Sequence, residues 1–416
     1  MTSDVTVRTL SEADAHAVFD LDLWAFGFDP QYSNEDEARR YLEWDRVAGA
    51  YLPDGDGERL GGVNAVLSLQ LPVPGGASVP AGGLTWVGVH PQVRRRGVLR
   101  AMMRHHLDAV RDRGEVVSIL YAAETPIYGR FGYGLATQAV KVTVARGADL
   151  RDVPGTDEVA LTFETADRER HAGLVSEVFA KAGAGRPGWA SRPDTTLGDA
   201  VFNLPPPHLR NSEPQRLLIA RDRSGAVRGY AFFVRKLDWQ DSGPNGTTRV
   251  REHVALDPAT ARALWGRLFD LDLQARIQVT RRPTDDPLLH LLVDPRAAAP
   301  TLHDGLWLRI VDLPAALSAR RYVTDVDVVL EVTDTRPANA GRWRLTGGPD
   351  VARCERTDDP PDLALDVREL GAAYLGGTSL TALAGAGLVT EHRTGALERA
   401  TAAFSWPVAP HCGWEF

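Results

Sequence analysis

One stretch, residues 84–134, constrains the fold more than any other part of the chain, because it joins a strand pattern to a helix pattern through a run of arginines. Its first part, L-T-W-V-G-V, is β-branched and aromatic and ends at His90-Pro91, which is typical of a strand. Beyond the arginines, apolar residues recur from Leu99 to Val110 with the i, i+3, i+4, i+7 spacing of an amphipathic helix. The sequence therefore predicts a strand, an arginine-rich loop and a helix in succession.

Arg94, Arg95, Arg96 and Gly97 stand where that helix begins. Positive side chains are unfavourable at a helix N-terminus, because the free N–H groups and the helix dipole already make that end positive. Such a run is either a solvated basic turn, as charge runs usually are, or a site that balances a bound anion, with the glycine letting the backbone come close to it. The flanking strand and helix favour the anion site, and a pyrophosphate fits it.

A glycine-rich segment, P-I-Y-G-R-F-G-Y-G, follows at residues 126–134. Glycines at this density indicate a backbone that needs unusual dihedral angles or lies close to a ligand. Tyr128 is therefore expected to be held on a fixed loop. Taken alone, it could equally be a buried tyrosine that caps the end of a strand.

Together the two segments resemble the GNAT superfamily of N-acetyltransferases, whose acyl-CoA signature, Arg/Gln-x-x-Gly-x-Gly/Ala, wraps the pyrophosphate of coenzyme A. Leu99 departs from that general pattern, which expects glycine or alanine there. With I-Y-G-R-F-G-Y-G, the loop R-R-R-G-V-L-R is similar to the enhanced intracellular survival (Eis) branch, whose loop carries a bulky residue at this position. The resemblance extends over the whole chain. It implies acetyl-CoA as co-substrate, bound by Val87, Val89, Arg94, Arg95, Arg96, Gly97, Leu99 and Arg100.

The rest of the chain contains a repeat and a different last segment. The elements of residues 58–110 recur in the same order up to residue 273, but D-P-A-T-A-R replaces P-Q-V-R-R-R-G. The last segment reads as strands followed by short helices, and its L-R-I-V-D-L-P-A-A-L is similar to the sterol-carrier-like (SCP2-like) domain of Eis proteins. We expect α/β and α+β folds. A catalytic GNAT domain at 1–140 and a degenerate GNAT-like domain at 141–284, both with mixed sheets, precede an SCP2-like α+β domain at 285–416.

Acetyl transfer from a thioester to an amine needs a polarised carbonyl, a proton for the departing thiolate and a neutral amine. The resemblance implies that backbone N–H groups of the strand from Val87 to Val89 hold the thioester carbonyl. Tyr128 is the candidate acid, because a phenol with an ordinary pKa near 10 can donate a proton to a developing thiolate.

The base is harder to find, because residues 84–89 contain no Asp or Glu. The chain ends in C-G-W-E-F without the polar tail usual at chain ends, so its terminus is expected to be buried. In the Eis family the terminal carboxylate reaches into the active site, a position that Phe416 occupies here. Water stays open as the alternative base, and Glu124, Glu415 and His90 are weaker candidates.

Aromatic side chains suit a cationic acceptor, because the ring faces attract cations. Each aromatic side chain of the candidate acceptor site could equally be part of the hydrophobic core. Without a Ser or Cys nucleophile near a base, the amine is expected to attack acetyl-CoA directly. Family members accept aminoglycosides, lysine side chains or polyamines, so the acceptor stays open. The candidate acceptor site consists of Trp86, Phe26, Phe28 and Tyr121, with Glu415.

Composition argues against several other classes. A net charge of −8 gives no global basic field for nucleic acid or an acidic membrane. Two cysteines and eleven scattered histidines provide no disulfide framework and no metal site. With no signal-like N-terminus and no run of 18 apolar residues, we expect a cytoplasmic protein. The family resemblance implies a homo-oligomer, a hexamer. The rival function is a non-catalytic CoA- or lipid-binding regulatory protein.

Overall fold

The computed structural model describes residues 5–27, 35–192, 201–202 and 212–416. The chain divides into two compact units, and each unit is discontinuous in sequence. The first unit draws on Met1–Thr137, Leu306–Pro407 and Trp414–Phe416, and the second on Gln138–Gly305 and Val408–Gly413. The limits at residues 140 and 284 stay a prediction, because one compact unit can hold more than one domain.

The regular elements of the described residues are as follows. The strands are, in chain order, β1 (Thr6–Thr9), β2 (Val47–Asp54), β3 (Gly57–Pro72), β4 (Ser78–Val89), β5 (Val117–Leu120), β6 (Gly134–Leu135), β7 (Gln138–Ala145), β8 (Ala160–Thr165), β9 (Arg216–Arg221), β10 (Val227–Lys236), β11 (Trp239–Gln240), β12 (Gly243–Pro244), β13 (Gly246–Ala255), β14 (Gln274–Arg282), β15 (Thr301–Asp304), β16 (Trp307–Ile310), β17 (Val326–Thr333), β18 (Gly341–Gly347), β19 (Ala352–Arg356), β20 (Leu363–Asp366) and β21 (Val389–Glu391). The α-helices are α1 (Ala15–Phe26), α2 (Glu35–Tyr41), α3 (Val98–Asp112), α4 (Arg168–Gly183), α5 (Pro258–Phe269), α6 (Leu288–Leu291), α7 (Leu313–Ala319), α8 (Val367–Ala373), α9 (Leu380–Gly385) and α10 (Ala396–Phe404).

The first unit contains a mixed sheet in the order β1-β2-β3-β4-β5-β16-β6. Its neighbours are antiparallel except β4 and β5, which run parallel and are joined through α3. Strand β16 lies between β5 and β6, although it follows them by more than a third of the chain. The chain leaves this sheet at Thr137 and returns at Leu306, whose N–H donates to Thr137 Oγ1 at 2.8 Å.

Helix α3 has the predicted amphipathic character. It begins at Val98, and its buried face carries Met102, Met103, Leu107 and Val110. Helix α1 packs on the same sheet. A capping box lies just before α1, where the Ser11 N–H donates to Asp14 Oδ2 at 2.8 Å.

The sequence pattern also predicts a helix over 35–48, and this prediction is wrong at its end. Helix α2 stops at Tyr41, and strand β2 begins at Val47. The segment V-A-G-A-Y-L pairs with β3 along its whole length. Strand pairing in the core therefore overrides the weak helical pattern.

The second unit has its own mixed sheet in the order β15-β7-β14-β13-β10-β9-β8. Strands β13 and β14 run parallel and are connected by α5, which repeats the arrangement of β4, α3 and β5. The last part of the first unit has a five-stranded sheet, β19-β18-β17-β20-β21, with helices α7 to α10. Two mixed sheets and an α+β segment match the expected fold class.

Candidate active site

An open cleft of about 2010 Å³ lies in the first unit. Strand β4, helix α3, the segment after β5, a loop after β17 and the last two residues of the chain form its walls. Arg96 is exposed and is not among the lining residues, and Phe28 lies outside the described residues. The candidate site residues that line the cleft are Phe26, Trp86, Val87, Val89, Arg94, Arg95, Gly97, Leu99, Arg100, Tyr121, Tyr128, Glu415 and Phe416.

The parallel pairing of β4 with β5 covers only Ala81 to Gly83. From residue 84 onward, β4 has no strand partner on that side among the described residues, which leaves backbone groups open to the cleft. A bulge strengthens this divergence, because Trp86 and Val87 together oppose Asn64 of β3. Trp86 has a φ of +54°, which is rare for a non-glycine residue. Strained backbone of this kind is typical of functional sites.

The start of α3 is open to an anion. Gly97 is the N-cap with a φ of +86°, and no side chain of the described residues caps the helix. The N–H groups of its first turn have no partner within the helix, and Val98, Leu99 and Arg100 line the cleft there. Arg95 has a φ of +64°, so the loop turns sharply before the helix.

Helix α5 of the second unit shows the contrasting case. Its N-cap is Asp257, whose carboxylate accepts the N–H of Thr260 at 2.8 Å. The chain itself thus supplies the negative group that the start of α3 lacks. This difference supports the prediction that the second repeat is degenerate, which stays a prediction.

Leu99, the departure from the general signature, has a packing role. It is half-buried and contacts the apolar cluster that contains Leu84, Met103 and Tyr128. The bulky side chain therefore adds apolar packing at the start of α3, which a glycine there would remove.

Tyr128 is 7% exposed and lines the cleft. Its ring lies edge-on to Tyr133 with a centroid distance of 6.0 Å. Its hydroxyl has no hydrogen-bond partner among the described residues. Burial raises the pKa of Tyr128 to about 12, and the nearby Glu124 carboxylate adds to the effect. The phenol is therefore protonated throughout the neutral range.

The glycines around Tyr128 have packing reasons that the sequence does not reveal. Gly132 has a φ of +82° and lies against the guanidinium of the buried Arg309. Gly134 lies against the backbone of α8 at Arg368. The expected unusual dihedral angle is present at Gly132, and the close approaches of these two glycines are to β16 and α8.

A buried polar group lies where β4 and β5 separate, and sequence analysis missed it. Ser118 Oγ donates to the Gly82 carbonyl at 3.1 Å and lies 2.8 Å from both His106 Nε2 and Tyr133 Oη. Burial lowers the pKa of His106 to about 3, so its imidazole is neutral. Two features of the sequence could have indicated this group: a serine in the apolar run V-V-S-I-L-Y and a histidine on the apolar face of α3.

The end of the chain lies beside this branch point. Tyr121 Oη donates to the Trp414 carbonyl at 2.9 Å. The Phe416 ring stands edge-on to Tyr121, with centroids 5.6 Å apart, and a Cβ on Gly83 would lie 3.1 Å from that ring. Trp414 is buried, Phe416 is half-buried and Glu415 is exposed. Glu124 also lines the cleft, whereas His90 is not among its lining residues.

Family models match most of the chain. A GNAT acetyltransferase domain matches residues 6–136, a second one matches 188–310, and a sterol carrier protein domain matches 313–413. The N-acetyltransferase Eis of Mycobacterium tuberculosis is 34% identical over 368 residues, which is 87% of either chain. The chain belongs to the Eis family of GNAT N-acetyltransferases.

Two further similar proteins agree with an N-acetyltransferase. An N-acetyltransferase of Streptomyces avermitilis, described as uncharacterized, is 44% identical over 415 residues, 99% of this chain and 98% of its own. The crystal structure of Eis1 from Mycobacterium abscessus superposes with a TM-score of 0.83 at 34% identity, and covers 99% of this chain and 100% of that one. The predicted family, fold class and acetyltransferase activity are confirmed.

Within the part of the chain that the structure describes, no group of three or more His, Cys, Asp or Glu residues is arranged to hold a metal ion. No helix among those residues is long and apolar enough to cross a membrane.

Asp22 is a buried carboxyl group on α1, one turn before the cleft-lining Ala25 and Phe26. It is 5% exposed, and burial raises its pKa from 3.8 to about 7. The folded state then keeps a proton that the unfolded state releases near pH 4, so stability should fall as pH rises from about 4 to 7. We expect Asp22→Asn to raise the free energy of unfolding at pH 8 by up to about 4 kcal/mol.

Urea unfolding of the Asp22→Asn variant and of the parent chain at pH 5 and pH 8 measures the difference in the free energy of unfolding. Asp20→Asn is the matched control, since Asp20 is exposed on the same helix. Equal pH dependence in the Asp22 variant and the parent would contradict the expectation.

Proposed function

We propose that this chain transfers the acetyl group of acetyl-CoA directly to an amine of a small cationic substrate, such as an aminoglycoside, or to a lysine side chain. The observation that carries the proposal is that one cleft joins four features. These are the uncapped start of α3, the open edge of β4, the tyrosine and the chain end, represented by Gly97, Val87, Tyr128 and Phe416.

The donor is supported by the loop before α3. Acetyltransferases of the GNAT superfamily use acetyl-CoA, and its pyrophosphate would accept the free N–H groups of the first turn of α3. Arg94 and Arg95 line the cleft here and would balance the negative charge. The thioester arm would extend along the open edge of β4, where backbone N–H groups of Val87 and Val89 can polarise its carbonyl.

Two groups beside the thioester, the phenol of Tyr128 and the α-carboxylate of Phe416, would carry out the proton transfers. The amine attacks the carbonyl carbon, a tetrahedral intermediate forms, and the C–S bond then breaks. Tyr128 would give its proton to the departing thiolate. The α-carboxylate of Phe416, with the ring packed on Tyr121, would take a proton from the amine. Water is the alternative base.

No serine or cysteine is found among the described residues that line the cleft. Direct attack by the amine is therefore favoured over an acyl-enzyme intermediate. The acceptor would lie against the aromatic side chains of Trp86, Phe26 and Tyr121, with the exposed Glu415 carboxylate available to a cation. Phe28 is part of the proposed set but falls outside the described residues.

Release of free thiol from acetyl-CoA tests the proposal. The acceptors to be offered are a panel of aminoglycosides, polyamines and lysine peptides. We expect thiol release that depends on at least one amine. CoA binding without amine-dependent release from any of them would overturn the enzyme proposal and favour a CoA- or lipid-binding regulatory protein.

The assembly state and location rest on the family resemblance. We propose a homo-hexamer in the cytoplasm that binds neither nucleic acid nor membrane. The acidic net charge of −8 supports the last point, because it gives no basic field for either polyanion. The molar mass in solution, relative to 45.3 kDa for one chain, tests the hexamer.

A further inference from the structure

The cleft does not stop at the pyrophosphate loop. It continues along one face of α3, where Arg100, Arg104, Asp108 and Arg111 follow each other at intervals of four, four and three residues. Its far wall is the loop Thr335–Ala338 that follows β17. We call these residues of α3 and this loop the arginine groove. Its charged side chains, with Arg336 included, are four arginines and one aspartate.

We propose that the arginine groove binds the 3′-phosphate of CoA and that Arg104 is the residue that recognises it. The inference rests on the proposed use of acetyl-CoA as donor. It assigns a specificity residue to the donor site and adds a segment of the C-terminal half, Arg336, to that site. The enzyme would then distinguish acetyl-CoA from acetyl-dephospho-CoA, which differ only in this phosphate.

The spacing along α3 fits such a ligand. Arg104 lies one turn beyond Arg100, about 6 Å along the helix axis. The 5′-pyrophosphate and the 3′-phosphate of CoA are attached to the same ribose, so the second anionic group must lie close to the first. Arg104 is exposed and has no carboxylate partner among the described residues. Its guanidinium is therefore available to a phosphate, which carries nearly two negative charges at pH 7.

Asp108 would repel that phosphate if its charge were unopposed. Arg336 hydrogen-bonds to Asp108 Oδ1, and Arg111 lies 3.4 Å from the same oxygen. The aspartate is thus neutralised from two sides. It fixes Arg336 in the groove without leaving the groove negative.

The loop that carries Arg336 is anchored at both ends to β16. Asp334 accepts two hydrogen bonds of 2.7 Å from the fully buried Arg309, and it also accepts the N–H of Arg336 at 3.0 Å. At the other end, Asn339 donates to the Ile310 carbonyl at 3.0 Å. The groove wall is therefore a fixed part of the sheet rather than a loose surface loop.

Steady-state kinetics with acetyl-CoA and acetyl-dephospho-CoA test the inference. We expect the parent enzyme to prefer acetyl-CoA by about tenfold or more in kcat/KM, as one charge-assisted phosphate contact allows. Arg104→Gln should raise KM for acetyl-CoA by about tenfold, with kcat unchanged and with no effect on the dephospho donor. Arg104→Lys should restore part of the preference.

Arg113→Gln is the matched control. Arg113 follows the same helix, is exposed, pairs with Asp45 at 2.6 Å and does not line the cleft. Equal use of the two donors by the parent enzyme would overturn the inference. The same would follow if Arg104→Gln reduced kcat/KM for both donors by one factor, or if Arg113→Gln gave the same loss.

Calorimetric binding of CoA and dephospho-CoA separates this inference from the proposed activity. No turnover with either donor would contradict the activity. If CoA binds more tightly than dephospho-CoA and Arg104→Gln abolishes this difference, the result would still support binding of the 3′-phosphate in the arginine groove. Equal affinity for the two ligands, or no binding of either, would overturn the groove inference whatever the turnover.

Discussion

A chain extended by two glycines beyond Phe416 is expected to lose about 100-fold or more in kcat, because an effective general base contributes at least that factor. The extension can move the α-carboxylate by roughly 7 Å from its parent position, near the point where β4 and β5 separate. The Phe416 ring and the hydrogen bond from Tyr121 to Trp414 can stay in place. Steady-state kinetics with acetyl-CoA and an accepted amine measure the loss.

Phe416→Leu is the companion variant, since it keeps the carboxylate and removes the ring contact with Tyr121. We expect a much smaller fall in kcat than in the extended chain. Thermal unfolding should show that both proteins keep the fold. If the extended chain retains the parent kcat, the terminal carboxylate is not the base, and water takes that role.

Tyr128→Phe is expected to lower kcat by about 100-fold with little change in KM, since it removes the proton donor and leaves the binding walls intact. The raised pKa, about 12, adds a pH expectation. The phenol loses its proton only as pH rises through that value, so the parent kcat should show no alkaline decline below about pH 11 that is due to Tyr128. Rate profiles from pH 6 to pH 10 check both points.

Stability serves as the control for Tyr128→Phe. The hydroxyl has no partner among the described residues, so its loss should leave the unfolding temperature close to that of the parent. Tyr133→Phe differs, because it removes a buried hydrogen bond to Ser118 and should lower stability by about 1 kcal/mol. A Tyr128 variant with full kcat would show that the thiolate obtains its proton elsewhere.

Local patterns in the sequence were enough to predict the segment from β4 to α3. The strand run, the arginines and the helix period are all encoded within about thirty residues, and the structure places α3 from Val98 as expected. The family resemblance added the role of Tyr128 and the position of Phe416. Neither follows from the spacing of residues alone.

Contacts between distant segments could not be predicted. Arg309 and Asp334 are charged residues in apolar or loop-like stretches, and nothing local indicates that they form a fully buried pair. Gly134 reads as part of a ligand loop, although it lies against α8. The wrong end of the helix predicted over residues 35–48 has the same origin at Val47 and Ala48, because these two residues pair with β3.

Strand β16 has a consequence for how the protein is made. During translation, β5 is complete at Leu120, but its neighbour β16 is not synthesised until Ile310 has been added. In the nascent first unit, the edge of β5 therefore stays unpaired while the residues of the second unit are synthesised. Open strand edges are prone to pair with other chains. Ribosomes that stall between residues 137 and 306 would release fragments in which β5 lacks its partner β16, so the insertion of the second unit lengthens the time for which that edge is exposed.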